Sequence, residues 1–465
     1  MGTTRRSFIQ DGLAAALLLA GPRVQAKEVP VVAGAASSVS TGWTQVPSIL
    51  ASVIPPQFPQ RDFSIVEFGA SLAKGADCNP AINAAIEGCH RSGGGRVVIP
   101  AGTWLSNGPI HLLSNVNLYL ATGATLNFGF NPEAYLPLQL VRWQGIRCYN
   151  YSPLIYAYQQ QNIAVTGSGT LNANGATTWN NWTDVSTNDW NLLQQMAFEG
   201  IPVTERRFGP GHYLRPGFFE PYDCRNVLVQ GVTFEGSPFW TLHPTFCTNV
   251  RIQDVTVHPG ALNDDGCDPD SCQNVWVTGC NFTTNDDNIS VKAGQLPDAE
   301  GLPGCENVVF QNCHCLQSTW SGLTLGSNIG GSIRNIFMED CTVNNCLNAI
   351  YLKASLNIAG SIEDVYFRSI QVGTCHHLLT MTPNAYQSVG DLGAPLFFNI
   401  NIEDVTCSIV QTSAFLVDGA VQRHFQALNL SDINIAKSNA TSPGQIVNTD
   451  GLVASNILMN GVRIL

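Results

Sequence analysis

From residue 220 onward, hydrophobic and polar positions repeat along the chain in one recurring pattern. Each copy contains two short runs in which apolar and polar residues alternate, separated by a polar pair. The copies read CRNVLVQGVTF (224–234), CTNVRIQDVTV (247–257), CQNVWVTGCNF (272–282), CENVVFQNCHC (305–315), IRNIFMEDCTV (333–343) and IEDVYFRSIQV (362–372), and weaker copies follow at 398–407, 428–435 and 455–464. Alternation with a period of two predicts β-strands.

One polar position marks the same point of every copy and gives the length of the repeat. It is occupied by Asn226, Asn249, Asn274, Asn307, Asn335 and Asp364, so the repeats are 23 to 33 residues long. Short strands at this interval predict a solenoid, which in an all-β chain is a right-handed, single-stranded parallel β-helix. Adjacent coils of such a fold lie about 4.8 Å apart. Residues at the same point of successive coils are therefore expected to be neighbours.

The segments outside the repeat are predicted to close or wall the solenoid. Residues 79–95 have a helical pattern that ends in glycines, which predicts an N-terminal capping helix. Residues 172–222 and 374–397 do not follow the repeat, and we expect them to be insertions that wall a binding face.

The N-terminus has the pattern of an export signal. Arg5 and Arg6 precede a short apolar run, and Val24–Ala26 is a plausible cleavage site. This pattern predicts a twin-arginine-type signal peptide over 1–26, an N-terminal extension over 27–62 and one β-helix catalytic domain over 63–465. No later segment has 18 consecutive apolar residues. The mature protein is therefore expected in the periplasm or secreted, with no membrane partner.

Composition narrows the classes of partner. The chain of 465 residues is 44% hydrophobic and 12% charged, which is enough apolar material for a large core. A net charge of −12 argues against a nucleic-acid partner. We expect a monomer that acts on a polysaccharide or an oligosaccharide.

The fifteen cysteines follow the repeat. Cys224, Cys247, Cys272 and Cys305 share one position of the coil, and Cys280, Cys313 and Cys341 share another. Buried ladders of free thiols explain this spacing better than disulfides do, because free cysteine behaves as a small buried hydrophobe. No CxxC pair occurs, and the cysteines and nearby histidines do not form a ligand set, so no metal site and no cofactor are predicted.

The segment TTNDDNISVK (283–292) contains the candidate chemistry. Asp286 and Asp287 could simply form a polar turn, since aspartate is common in turns. However, Asp265 lies at a similar position of the preceding coil, so three carboxylates are expected on one face. Such carboxylates cannot all ionise readily, and one becomes a proton donor while another activates water. An acid and a base placed across a bond are the requirement for glycoside hydrolysis.

Several motifs resemble those of glycoside hydrolase family 28, the polygalacturonase family, and its bacterial members in particular. They are FGA (68–70), GGGRVVIPAGTW (93–104), SPFWTLHPTFCTNV (237–250), NDDG (263–266) and NDD (285–287). The resemblance implies that Asp286 is the general acid, that Asp265 and Asp287 hold and deprotonate the water, and that the anomeric centre is inverted. Asp264 would then be a neighbour of the catalytic set.

Two motifs depart from the family pattern. The segment TWSGLTLGS (319–327) has Trp320 or Ser321 where a histidine is expected, and Tyr351 replaces the arginine of an Arg-x-Lys motif that keeps Lys353. In polygalacturonases these residues help to hold galacturonate, so the resemblance implies an altered substrate site. The candidate substrate-binding residues are Arg215, His243, Lys292, Trp320, Ser321, Tyr351 and Lys353.

The sequence thus predicts an inverting hydrolase of an α-linked pectic or related glycan, with a rhamnogalacturonan-type or other non-homogalacturonan substrate favoured. Two alternatives stay open. One is a catalytically silent β-helix that binds glycans, which the two broken motifs favour. The other is a polysaccharide lyase, which would need a lysine or arginine base and would leave an unsaturated product.

Overall fold

The computed structural model describes residues 42–175, 177–356, 358–386 and 390–465. The predicted signal peptide, 1–26, and the extension as far as residue 41 lie outside the described residues. The described chain winds as a right-handed parallel β-helix, so the predicted fold class is confirmed. One continuous apolar core fills the interior from Ile65 to Met459.

Three faces of parallel strands form the coils. The first face contains Asp62–Ser64, Gly95–Ile99, Val116–Leu120, Gln161–Gly167, Arg225–Gln230, Thr248–Gln253, Gln273–Thr278, Cys305–Gln311 and Ile333–Glu339. The second contains Gly102–Ser106, Ala124–Phe128, Thr170–Asn172, Thr233–Glu235, Thr256–Val257, Asn281–Thr284, His314–Ser318 and Thr342–Val343. The third contains Ile110–His111, Ile155–Tyr158, Phe219–Tyr222, Ile289–Val291, Ser321–Leu325 and Cys346–Lys353.

Towards the C-terminus single long strands run through more than one face. They are Ser361–Thr382, Leu396–Asp418 and Phe425–Ser438, followed by Gly444–Val447, Thr449–Asp450, Val453–Met459 and Val462–Arg463. The weaker repeats at the C-terminus are therefore coils, as predicted. The last short strand runs antiparallel to Val453–Met459.

The asparagine that marks the repeat forms a ladder along the solenoid. Asn226, Asn249, Asn274 and Asn307 all have positive φ, between 56° and 59°, a conformation that asparagine tolerates better than most residues. Each side chain donates to the asparagine of the preceding coil, over 2.9 to 3.4 Å. The marker is thus a bend residue that also links coils.

The cysteines are unpaired and buried, as predicted. All fifteen lie in the described part of the chain, and none forms a disulfide. The thiols of Cys247 and Cys272 donate to backbone carbonyls of their neighbouring coils, those of Pro221 and Pro244, at 3.1 Å.

Helices lie at the end and on the flanks of the solenoid. The predicted capping helix is Asn79–Arg91, and it buries Ile82, Ile86 and Cys89 against the first coils. The other helical segments are Gly42–Gln45, Val46–Ser52, Ile65–Phe68, Pro132–Tyr135, Trp179–Trp182, Ser186–Phe198 and Val203–Glu205.

The extension is folded from residue 42. Trp43, Val46 and Ile49 pack against an outer face of the solenoid that includes Phe337 and Tyr366. Aromatic and aliphatic side chains in this contact bury apolar surface that the coils would otherwise expose to water.

Both insertions are shorter than predicted. Phe219–Tyr222 is a coil strand paired with Ile155–Tyr158, so the first insertion ends before it. Residues 374–382 complete the strand Ser361–Thr382, so the second begins after it. Strand residues at these positions were missed because their surroundings lack the alternating pattern of the other copies.

An antiparallel hairpin, Gln139–Trp143 with Ile146–Asn150, lies outside the coils and was not predicted. The short strand Arg207–Phe208 extends it. The hairpin and the helix Ser186–Phe198 share a second apolar cluster, separate from the solenoid core. No helix of the described ranges has the length and apolarity needed to span a bilayer.

Candidate active site

Asp286 and Asp287 lie in the bend that precedes the strand Ile289–Val291. Residues on a regular strand alternate between faces, so two adjacent carboxylates can share a face only at such a bend. The bend is held by Asp264 of the preceding coil, which accepts hydrogen bonds from the backbone N–H groups of Asn285 (2.8 Å) and Asp286 (2.9 Å). Burial raises the pKa of Asp264 to about 6. Asp264 therefore shapes the bend.

The structure brings together the three predicted carboxylates. One oxygen from each of Asp265, Asp286 and Asp287 lies within 4.8 Å of the others. Asp265 is 3% exposed and Asp287 is fully buried, whereas Asp286 is half-buried. Their proximity follows from register, because Cys267 of one coil pairs with Ile289 of the next, and the aspartates precede these residues by two.

Two lysines neutralise two of the three carboxylates. Lys292 Nζ lies 3.1 Å from Asp265 Oδ2, and Lys353 Nζ lies 2.6 Å from Asp287 Oδ2. Burial alone would lower the pKa of each lysine, but the adjacent carboxylates more than offset it and hold both pKa values above the usual range. Each of these two carboxylates therefore has one ammonium group beside it.

Asp286 is electrostatically different from its two partners. Within the described residues no lysine or arginine forms an ion pair with it. Burial, and then the charges of Asp265 and Asp287, hold its pKa well above the usual range. Its two oxygens accept hydrogen bonds from Asn263 Nδ2 (3.1 Å) and from the backbone N–H of Asp287 (2.9 Å). Asp286 is thus the member of the cluster that stays protonated most readily.

Three carboxylates this close also form a donor set for a divalent cation. The ammonium groups of Lys292 and Lys353 already occupy oxygens of Asp265 and Asp287, and their charge opposes a second cation at the same point. The arrangement fits acid–base chemistry better than metal ligation.

Arg215 lies behind the cluster, although the sequence suggested that it contacts substrate. It is fully buried, and its guanidinium donates to the carbonyl of Pro238 (2.8 Å) and to Asn263 Oδ1 (2.7 Å). Burial lowers its pKa to about 10. Because Asn263 in turn holds Asp286, the structure gives Arg215 a positioning contact with the acid.

His243 is also enclosed. Its ring is 1% exposed, with Nδ1 3.7 Å from Glu220 and Nε2 3.5 Å from Asp270. Burial would lower its pKa, but Glu220 and Asp270 raise it to about 9, so the imidazole is charged at neutral pH. The sequence suggested a substrate contact here, whereas the structure places the ring in a buried charge network.

The segment around Trp320 forms the open side of the site. The Trp320 side chain is 43% exposed, and Ser318 Oγ donates to the carbonyl of Asp286 at 2.5 Å. Ser321 is buried and accepts a hydrogen bond from Asn348 Nδ2 at 3.3 Å. Tyr351 is half-buried, with its ring centroid 5.1 Å from Lys353 Nζ.

Tyr386 is a further candidate that the sequence pattern did not reveal. Its hydroxyl is buried beside Ser327, and the charges of Lys353 and Lys292 act on it. It follows the strand Ser361–Thr382, in a segment outside the repeat. Its place in the fold therefore could not be predicted by counting residues from the repeat marker. A tyrosine at an insertion boundary was the only available signal.

Comparisons with known proteins agree on one family. The model of glycosyl hydrolases family 28 matches residues 209–457, more than half of the chain. A protein of Vitis vinifera described as a probable polygalacturonase is 26% identical over 357 residues, which are 74% of this chain and 67% of that protein.

Two solved structures extend the comparison to the whole fold. The exopolygalacturonase of Thermotoga maritima is 32% identical, with a TM-score of 0.82 over 91% of this chain and 97% of that one. The polygalacturonase of Erwinia carotovora ssp. carotovora has a TM-score of 0.63 at 20% identity, over 85% of this chain and 98% of that one, and shows the likeness of fold alone. The chain therefore belongs to family 28 of the glycoside hydrolases, as its motifs indicated.

Proposed function

We propose that this hydrolase cleaves an α-linked pectic or related glycan with inversion, using Asp286 as general acid and Asp265 with Asp287 to hold and deprotonate the water. The observation that supports this assignment is the division of charge within the cluster. Lys292 and Lys353 form ion pairs with Asp265 and Asp287. Asp286 has a raised pKa and, within the described residues, no lysine or arginine as an ion-pair partner.

The geometry allows the proton transfers to balance. Oxygens of Asp265 and Asp287 within 4.8 Å of each other can both hold one water at a hydrogen-bond distance of about 2.8 Å. The water oxygen attacks the anomeric carbon and one of these carboxylates takes its proton. The proton of Asp286 moves to the glycosidic oxygen as its bond to that carbon breaks. Lys292 and Lys353 form ion pairs with the two carboxylates that are proposed to bind the water.

The substrate is proposed to differ from homogalacturonan on at least one side of the scissile bond. By the family resemblance, Trp320 or Ser321 stands where polygalacturonases have a histidine, and Tyr351 stands where they have an arginine. A charge-assisted contact is worth about 1.5–3 kcal/mol, so an enzyme adapted to galacturonate at both positions is expected to keep both contacts. Exposed Trp320 offers an apolar ring face for a sugar. We favour a rhamnogalacturonan-type backbone.

Purified protein should therefore hydrolyse rhamnogalacturonan backbone faster than polygalacturonan. Initial rates on both polymers, with product analysis, test this preference. The double variant Ser321→His/Tyr351→Arg should raise the ratio of polygalacturonan to rhamnogalacturonan activity by about tenfold or more, since 1.4 kcal/mol corresponds to tenfold. Thermal melting of the variant checks that it is folded.

Several outcomes would contradict the proposal. Rapid cleavage of polygalacturonan by the unaltered protein would contradict the substrate inference. Glycan binding without hydrolysis of any polymer would instead favour the silent binding protein, and an unsaturated product absorbing in the ultraviolet would indicate a lyase.

We also propose that the mature protein acts outside the cytoplasm, as a monomer, after twin-arginine export. Arg5 and Arg6 before the short apolar run support this route. The fifteen buried free thiols agree with a chain that folds under reducing conditions before it is exported.

A further inference from the structure

The strand register of the third face shows which residues line up with the carboxylates along the solenoid axis. Leu242, Cys267 and Ile289 pair in sequence across three coils, and Ile289 pairs with Leu323. The residues two places earlier form one row, which runs in coil order through Trp240, Asp265, Asp287, Ser321 and, by its pairing with Ser321, Asn348. Coils lie about 4.8 Å apart, so this row runs past the carboxylates along the solenoid axis.

The row is blocked immediately on the N-terminal side of the carboxylates. Trp240 precedes Asp265 by one coil and is only 2% exposed. Its indole packs into the second apolar cluster, which is built from the hairpin, the first insertion and Phe239. The members of this cluster, here called the plug, are Val141, Trp143, Ile146, Cys148, Leu193, Ala197, Phe208, Leu214, Phe239 and Trp240.

The plug is fixed firmly to the wall of the site. Lys292 Nζ lies 4.3 Å from the centroid of the Trp240 ring while it pairs with Asp265. The hairpin is anchored by Arg142, whose fully buried guanidinium donates to Asp270 Oδ1 at 2.9 Å. A buried ion pair that also carries hydrogen bonds resists displacement, because breaking it leaves an uncompensated charge. A glycan chain therefore has no passage past Trp240.

The opposite direction is open. Thr319 is exposed, Trp320 keeps 43% of its side chain in solvent, and His376, two coils further on, is exposed as well. Ser321 and Asn348 give this side of the row neutral hydrogen-bonding groups. One end of the row is therefore covered by the plug, and the other is exposed along the following coils.

We propose that the enzyme is exo-acting: the terminal sugar of a glycan binds at the carboxylates with its free end against the plug, while the rest of the chain extends over Trp320 and the following coils. This inference rests on the proposed function, since it assigns a mode of attack to the same site. A blocked groove admits chain ends and excludes chain interiors.

Product size during the first few per cent of hydrolysis tests the proposal on rhamnogalacturonan backbone and on polygalacturonan. We expect one short product of uniform size from the start and a slow fall in the mean length of the remaining polymer. An early mixture of oligomers with a rapid fall in viscosity would overturn exo action and leave the hydrolase assignment standing. Absence of product from every glycan would count against the proposed function instead.

Binding by the Asp286→Asn variant gives a readout that does not depend on turnover. The same two polymers are compared at two mean chain lengths prepared by partial acid hydrolysis. Bound protein per gram of polymer should double when the mean length is halved, because the number of ends doubles. Binding that depends on polymer mass and not on the number of ends would overturn the proposal, as would binding to neither polymer.

Discussion

Replacing Asp286 with asparagine is expected to reduce turnover by about 10²–10⁴-fold, the usual contribution of a general acid. Asparagine keeps an oxygen that can accept the backbone N–H of Asp287, but it has no acidic proton to give to a leaving group. The substitution also removes the repulsion that an ionised Asp286 meets from the charges of Asp265 and Asp287. The melting temperature should therefore be unchanged or slightly higher.

A matched control is Asp254→Asn, an exposed aspartate with a positive φ of 54° that asparagine also tolerates. This variant should keep full activity and the same melting temperature. Steady-state rates and thermal melts of both variants make the comparison. An Asp286→Asn enzyme that turns over at the unaltered rate would remove Asp286 from the mechanism.

Replacing Lys353 with methionine should have the second largest effect. Lys353 is the hydrogen-bond partner of Asp287 Oδ2, and Asp287 Oδ1 is buried without a partner. Losing the ammonium therefore leaves a buried carboxylate uncompensated, which typically costs about 3–5 kcal/mol of stability. We expect turnover to fall by about 10²-fold or more, as on loss of a catalytic base, and the melting temperature to fall as well.

The pH profile separates a positioning role in catalysis from a purely structural one. The general acid Asp286 must be protonated, and the charge of Lys353 lowers the pKa of Asp286. Without Lys353 this pKa should rise, and the basic limb of the rate profile should move to higher pH. Lys353→Arg should restore part of the rate and of the profile, and exposed Lys437→Met should change neither. A Lys353→Met profile with an unshifted basic limb would contradict this role of Lys353.

The coil architecture was predictable from the sequence because the same pattern of apolar and polar residues recurs in successive coils. The marker asparagines, such as Asn274, share one bend conformation and one hydrogen-bonding ladder, so their spacing measures coil length directly. Asp265 and Asp287 have similar positions in successive coils, and parallel pairing makes residues at such positions neighbours. Free cysteines at shared phases followed from the same logic.

Features outside the repeat could not be predicted from positions within the repeat. The hairpin that holds Arg142, and the packing of the first insertion on Trp240, depend on long-range contacts with no periodic signal. Arg215 and His243 were predicted to bind substrate, and the structure buries both, because sequence cannot distinguish an exposed cation from a buried one. Tyr386 was missed for a related reason, since its segment belongs to no regular coil.

The stereochemical outcome bears directly on how the three carboxylates work. Inverting enzymes generally place acid and base about 6.5–9.5 Å apart, whereas retaining enzymes place them about 5–5.5 Å apart. The oxygens here lie within 4.8 Å of one another. Inversion is still expected, because Asp265 and Asp287 are each paired with a lysine and are proposed to hold a water together, whereas retention would need one of them to attack the sugar itself.

Proton NMR of the sugar formed in the first minutes of hydrolysis, before mutarotation, decides between these two roles. We expect an α-linked substrate to release the β-anomer first, and Asp286→Asn to release neither anomer at a comparable rate. Initial release of the α-anomer would show that a carboxylate of the cluster attacks the sugar directly, and would contradict the assignment of Asp265 and Asp287 as holders of the water.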